Sequence, residues 1–218
     1  MQVCFKDNFV SVSNMLLATE NASDRTEIEK FIANRYQAAF SASIPHFFPY
    51  LVAKRNSFGE IDFACGFQDA TKPLYLEHYL SEPAETLLGR LFNRQCNRDE
   101  IVEIGQLATF SIRLAPELFL AIAQLLLSMG FRWAMATVTG PLLALCKRCG
   151  MKPVHIACAY SQQVGTEQSL WGNYYQYHPQ VVCAELIQVA SQLSHYVNHP
   201  TRQISSSERF KEKANGFD

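Results

Sequence analysis

Two glutamates stand out because each lies in an otherwise apolar run. Glu103 interrupts "RDEIVEIGQLATFSIRLAPELF" (98–119), and Glu77 sits between aromatics in "KPLYLEHYL" (72–80). A carboxylate desolvated by such neighbours is raised in pKa and can act, directly or through a water, as general base on an amine or hydroxyl. Two carboxylates near one pocket can divide base and acceptor-orienting roles. The structural alternatives are an ion pair of Glu103 with Arg35 or another cation, and a rim salt bridge for Glu77. Strand alternation puts Ile101, Glu103, Gly105, Leu107 and Thr109 on one side, and Val102, Ile104, Gln106, Ala108 and Phe110 on the other. Gly105 then leaves open space beside the carboxylate, as the approach of a ligand requires.

Other side chains suit binding more than bond chemistry. Trp171, Asn173, Tyr174 and Tyr175 in "LWGNYYQYHP" can line a pocket or an oligomer interface, a homodimer's included. Arg113 is either a phosphate ligand or a solvated loop cation. "CKRC" has no second pair at zinc-binding spacing, so no metal site is expected, and Leu142, Leu145, Cys146 and Cys149 form a core-facing helical stripe. Seven cysteines without regular spacing fit a reducing, cytoplasmic compartment. The first residues do not read as a secretory leader.

Bulk properties exclude several classes. With 19 Lys+Arg against 20 Asp+Glu, no overall field draws the chain to nucleic acid. There is no phosphate loop, nucleophile elbow or basic-aromatic stripe. The longest apolar stretch, "LFLAIAQLLLSMGF", is shorter than the ~20 residues of a bilayer span and reads as a core helix.

Stepping along the chain gives the elements that must hold these residues. Residues 1–22 read as an extension or a first strand. "DRTEIEKFIANRYQAAF" is a helix behind an Asp24-x-x-Glu27 capping box, with Ile28, Phe31, Ile32, Ala39 and Phe40 inward. A hairpin turns at Asn56 to Gly59, and Ile61, Phe63, Cys65 and Phe67 alternate with Asp62, Ala64, Gly66 and Gln68. "KPLYLEHYL" is expected to extend the sheet or its rim, which would put Tyr75, Glu77 and Tyr79 on one face. A helix capped by Ser81 follows, with Leu87, Leu88 and Leu91 inward. A strand from about Glu100 to Phe110 leads to a helix from near Pro116 to Gly130. Strand, helix and strand then cover 131–160, a final aromatic strand is expected over 169–182, and a helix over 183–197. Residues 199–218 read as a polar, flexible tail. One domain over 23–198 follows, of α/β (α+β) class. The element order is that of a GNAT-type acyltransferase, a mixed, splayed sheet flanked by helices.

"YLEHYLSEPAE", "EIVEIGQLA", "LLSMGFRWAMATVTGPL" and "LWGNYYQYHP" together resemble the thermostable hemolysin family, over about Arg35 to Leu186. That family resembles acyl-homoserine-lactone synthases, with a glutamate on the fourth strand. The resemblance implies an acyltransferase that moves an acyl group from acyl-CoA or acyl carrier protein to an amine or hydroxyl of a small molecule. It puts the donor on the backbone of Leu107, Ala108, Thr109 and Ser111, aided by Arg113, and Arg35 beside the substrate. Gln106 stands where the family commonly has Asn, so it keeps an amide on a longer side chain. "SIRLAPELF" replaces the glycine-rich phosphate loop of CoA-binding relatives, which leaves a carrier-protein donor open. The position of a GNAT proton-donating tyrosine is Cys146. The family's name implies one alternative, direct lysis of membranes, and the unusual "SIRLAPELF" junction leaves a second, a catalytically inactive binding domain.

Overall fold

The computed structural model describes residues 15–198. The tail at 199–218 and most of the N-terminal segment lie outside the described residues. Seven strands, β1 (Met15–Ala18), β2 (Tyr50–Arg55), β3 (Ile61–Asp69), β4 (Ile101–Thr109), β5 (Trp133–Val138), β6 (Val154–Cys158) and β7 (Gln180–Glu185), form one sheet in the order β1-β2-β3-β4-β5-β7-β6. Helices α1 (Arg25–Phe40) and α2 (Ala84–Phe92) cover one face. Helices α3 (Ala115–Ser128) and α5 (Leu186–Asn198) cover the other, and α4 (Gly140–Arg148) joins β5 to β6.

Alternation in the sequence explains this layering. On β3, Phe63, Cys65 and Phe67 pack under α3 and α5, while Ala64 faces the core beneath α1. The small side chain on that face lets the α1 residues Ile28 and Ile32 become fully buried. The apolar run that begins at Leu118 lies in α3 as far as Ser128 and is buried along Leu118, Leu120, Ile122 and Leu126. No helix among the described residues is long and apolar enough to cross a membrane.

The strand carrying Glu103 is not regular. Its register with β3 steps from Gly66↔Gly105 to Ala64↔Ala108, so Gln106 and Leu107 together face Cys65. Gln106 takes up the extra residue with a left-handed φ of 56°. The bulge reverses the alternation expected beyond Gly105. Ala108 joins Ile101 in the α1-side core, and Leu107 joins Ile104 on the α3 side. Gln106 consequently shares a cavity with Glu103.

The sheet also parts at this point. β4 pairs with β5 in parallel only from Ile101↔Trp133 to Ile104↔Ala136. Beyond it, Thr137 and Val138 of β5 pair with β7 alone, and the β5-facing edge of Gly105 to Thr109 has no strand partner. The splayed sheet expected from the element order is therefore present.

Several local expectations are corrected. Residues 75–79 form a short 3-10 helix, not a strand, because Glu77 reaches back to the Leu74 N–H and pulls the chain into a turn. The aromatic segment 169–182 is a strand only from Gln180; before that, 3-10 turns at Ser161–Trp171 and Tyr174–Tyr177 wrap against α1. Neither Asp24 nor Ser81 caps a helix with its side chain. Glu27 is drawn off to Arg55, and the α2 N-terminus, the Ala84 N–H, donates to Glu77. Leu91 is 44% exposed rather than inward.

Candidate active site

Glu103 is 3% exposed and faces no cation. Gln68, directly across on β3, donates its Nε2 to Oε2 at 2.8 Å. The first turn of the 75–79 helix donates two main-chain amides, Tyr75 N–H to Oε2 at 2.8 Å and Leu76 N–H to Oε1 at 3.1 Å. Burial raises the carboxyl, these three donors oppose the rise, and the balance stands at about 7. The charge of nearby Glu77 adds to the upward push. A carboxyl so poised exchanges its proton near neutral pH.

The cavity it faces is about 290 Å³ and is walled by Tyr36, Phe48, Tyr75, Tyr79, Trp171 and Tyr174. Each wall is held by an identifiable contact. The Trp171 Nε1–H donates to Tyr75 Oη at 2.9 Å, and that hydroxyl donates to Glu167 at 2.9 Å. Tyr79 and Tyr175 share a hydroxyl hydrogen bond of 2.7 Å. Gln106 ties down the 45–49 loop, donating to His46 O at 2.6 Å and accepting from Phe48 N–H at 3.2 Å. Arg25 holds the same loop from outside through the carbonyls of Phe48 and Pro49.

Glycines make these approaches possible. A Cβ on Gly105 would stand 2.9 Å from the Phe48 ring, and one on Gly66 2.7 Å from the Gln106 amide oxygen. The space beside Glu103 is thus filled by Phe48 rather than left open, which corrects the expectation from sequence. At Gly172, with φ of 49°, a Cβ would collide with the carbonyl oxygens of Phe40 and Ser41. That contact lets Asn173 N–H donate to Phe40 O at 2.7 Å and Ser43 N–H to Leu170 O at 2.7 Å, fixing Trp171 over the cavity.

A second cavity of about 470 Å³ lies between α3, α4 and the parted strands. Its lining is chiefly aliphatic, and it shares Tyr36, Ile104, Gly105, Gln106, Thr137 and Tyr174 with the first. Thr137 Oγ1, on this common wall, is buried without a partner among the described residues.

The expected site residues divide between these places and elsewhere. Glu103, Gln106, Trp171 and Tyr174 line the first cavity, and Leu107, Thr109 and Ser111 the second. Ala108 points into the core because of the bulge. Arg35 does not pair with Glu103; its guanidinium lies 4.6 Å from the centre of the Phe110 ring. Glu77 lines neither cavity. It is gripped by Arg98 at 2.8 and 3.0 Å and by the amides of Leu74 and Ala84. Burial pushes its carboxyl up, but the Arg98 guanidinium and those amides outweigh it and hold it at about 2. Arg113 is exposed, Asn173 bonds Gln176 at the surface, and Tyr175 stands behind Tyr79. Cys146 lines the second cavity, its thiol pushed up by burial to about 12.

Gln68, His46, Phe48, Glu167 and Thr137 also shape the site and were not expected from the sequence. Gln68 carried a signal, being the amide on the outward-alternating face of β3. The others lie in loops or on a short strand whose facing depends on the splay. Among the described residues no group of three or more His, Cys, Asp or Glu could hold a metal ion.

The fold, a mixed sheet flanked by helices, is similar to that of solved acyl-homoserine-lactone and N-acyl amino acid synthases. TofI, solved with an inhibitor and MTA, is 14% identical with a TM-score of 0.54 over 83% of this chain and 96% of its own. FeeM, an N-acyl amino acid synthase from uncultured soil microbes, is 10% identical with a TM-score of 0.57 over 85% and 100%. BjaI, a CoA-dependent acyl-homoserine lactone synthase solved with SAM and isopentyl-CoA, is 12% identical with a TM-score of 0.54 over 82% and 85%. The chain belongs to the thermostable hemolysin family, whose model matches residues 18–190. No curated protein matches it at a significant level.

Proposed function

We propose that the protein is an acyltransferase that moves an acyl group from a thioester donor, acyl-CoA or acyl carrier protein, to an amine or hydroxyl of a small molecule. The observation that carries this reading is Glu103, buried without a counter-charge in the smaller cavity and next in sequence to Ile104, Gly105 and Gln106 of the wall that both cavities share. The smaller cavity receives the acceptor and the aliphatic one the acyl chain. The free edge of Gly105 to Thr109 supplies main-chain groups for the donor's pantetheine arm. For an amine acceptor, the ionised Glu103 takes one proton from the ammonium. The amine nitrogen then attacks the thioester carbonyl, the C–N bond forms, and the C–S bond breaks to release a thiolate. That thiolate takes up the proton held by Glu103, which restores the carboxylate, and the second amine proton passes to solvent. Thr137 Oγ1–H is available to donate to the carbonyl oxygen as charge develops on it.

Two features bear on the donor. Helix α3 opens with Ala115 and Pro116 and carries Glu117 in its first turn, so the usual anion-attracting end offers one N–H fewer and a like charge to a pyrophosphate. Phe110, Ile112 and Leu114, all exposed, precede it beside the mouth of the aliphatic cavity. Both favour a donor held by its acyl chain and arm over one gripped by its phosphates, with exposed Arg113 in the preceding loop to assist. Cytoplasmic thioester pools are the matching source. The test is thiol release from acyl-CoA and acyl-carrier-protein panels by the wild type and Glu103→Gln. Turnover should fall about 10²- to 10⁴-fold in the variant, and undiminished turnover removes Glu103 from the mechanism.

A further inference from the structure

Resting on that reading, the wall chemistry of the smaller cavity narrows the acceptor. No lysine or arginine lines it. The rings of Tyr36, Tyr75 and Tyr174 stand around Trp171 with centroids 6.5, 5.9 and 5.2 Å away, tilted to its plane by 65°, 51° and 44°. A lining this rich in aromatic rings suits a cation, which ring quadrupoles attract, better than an anion. The cavity's only carboxylate is Glu103 itself. Its two histidines are already engaged: His46 Nε2 is 3.4 Å from Glu167, and His78 Nδ1 is 2.7 Å from the Tyr75 carbonyl. An incoming carboxylate would lie beside Glu103 with no lysine or arginine to pair it, and burial without such a partner disfavours it.

We infer that the acceptor is a small organic ammonium bearing no carboxylate, a primary amine rather than an amino acid, held between the aromatic walls with its nitrogen toward Glu103. At about 290 Å³ the cavity sits at the lower end of the ~300–1,000 Å³ usual for ligand sites, which suits a small monoamine or diamine.

The test uses the full chain and compounds that differ by one group: phenethylamine, phenylalanine and 2-phenylethanol, with ethanolamine against serine and cadaverine against lysine. Binding is read by calorimetry and by Trp171 fluorescence without any donor, using Trp171→Phe to assign the signal. At least one amine should bind tenfold or more tighter than its amino acid, and phenethylamine more tightly than its alcohol. Glu103→Gln should weaken the amine about tenfold and 2-phenylethanol by distinctly less. Equal or tighter binding of the amino acids, or no amine binding at millimolar concentration, overturns the inference. Thiol release with the same panel separates the two claims. Acylation of amino acids alone sinks the amine inference and keeps acyl transfer. Amine binding with no thiol release from any donor sinks acyl transfer and keeps the amine site.

Discussion

Glu103 makes a quantitative prediction about stability as well as activity. Its carboxyl stands at about 7 in the folded chain against an ordinary 4.5. Below the ordinary value the group is protonated whether the chain is folded or not, and no charge is buried. As pH rises the unfolded chain releases its proton first while the folded chain keeps it, so stability falls until the folded group also ionises. The loss accumulates between about 4.5 and 7 and totals about 3 kcal/mol. Other groups titrate in the same range, so the useful quantity is the difference between the wild type and Glu103→Gln, which has nothing to ionise there. Urea denaturation followed by tryptophan fluorescence at half-unit steps from pH 4 to 8 measures it. The wild type should lose about 3 kcal/mol relative to the variant across that span, and its kcat/KM should rise through an inflection near pH 7. A stability difference that stays flat within about 0.5 kcal/mol would mean that Glu103 titrates at its ordinary value in the folded chain, and would refute the upward push by burial.

Further expectations follow from other parts of the site. Thr137→Val removes a buried hydroxyl that lacks a partner, so it should stabilise the fold by about 1 kcal/mol while lowering kcat about tenfold or more; denaturation and thiol-release assays check the opposite signs. Gln106→Ala leaves Phe48 N–H and His46 O unpaired, which should cost about 1–3 kcal/mol and raise KM for the acceptor more than it lowers kcat. Arg98→Ala breaks the half-buried pair with Glu77 and should cost about 1–3 kcal/mol by denaturation with the acceptor KM little changed, since neither residue lines the cavity. Ala136→Leu fills part of the aliphatic cavity and should shorten the preferred acyl chain by about two or three carbons in a donor-length series, at ~0.8 kcal/mol of burial for each methylene displaced.

Much of the scaffold was legible in the sequence because apolar periodicity decides which face of an element is buried. The β2–β3 hairpin, α1, α3, the Glu103 strand and α5 all follow from it. Periodicity failed where one polar side chain overrode it. "KPLYLEHYL" has a strand's composition, but Glu77 bonds its own backbone at Leu74 and coils the segment, which also turns it away from Glu103. The aromatics at 169–179 likewise look extended, yet they serve as a lid wrapped on α1. The gravest local miss was the bulge. A single left-handed residue moves Gln106 and Ala108 to the Glu103 side and Leu107 away from it, and no spacing rule reveals that. Glu103 itself was recognisable as a carboxylate out of place. Its partners were not, because two of its three donors are main-chain amides, which have no signature in residue type.

The stitching of Leu170 and Asn173 to the end of α1 joins parts of the chain roughly 130 residues apart. Contacts of such long reach are closed late in folding, after the local hairpin and helices have formed. A chain can therefore carry a complete β3–β4 pair, with Glu103 on it, before Trp171 arrives to finish the acceptor chamber. Competence to bind comes with the last third of the polypeptide, so a truncated or partly folded molecule holds the carboxylate but has no enclosure in which to use it.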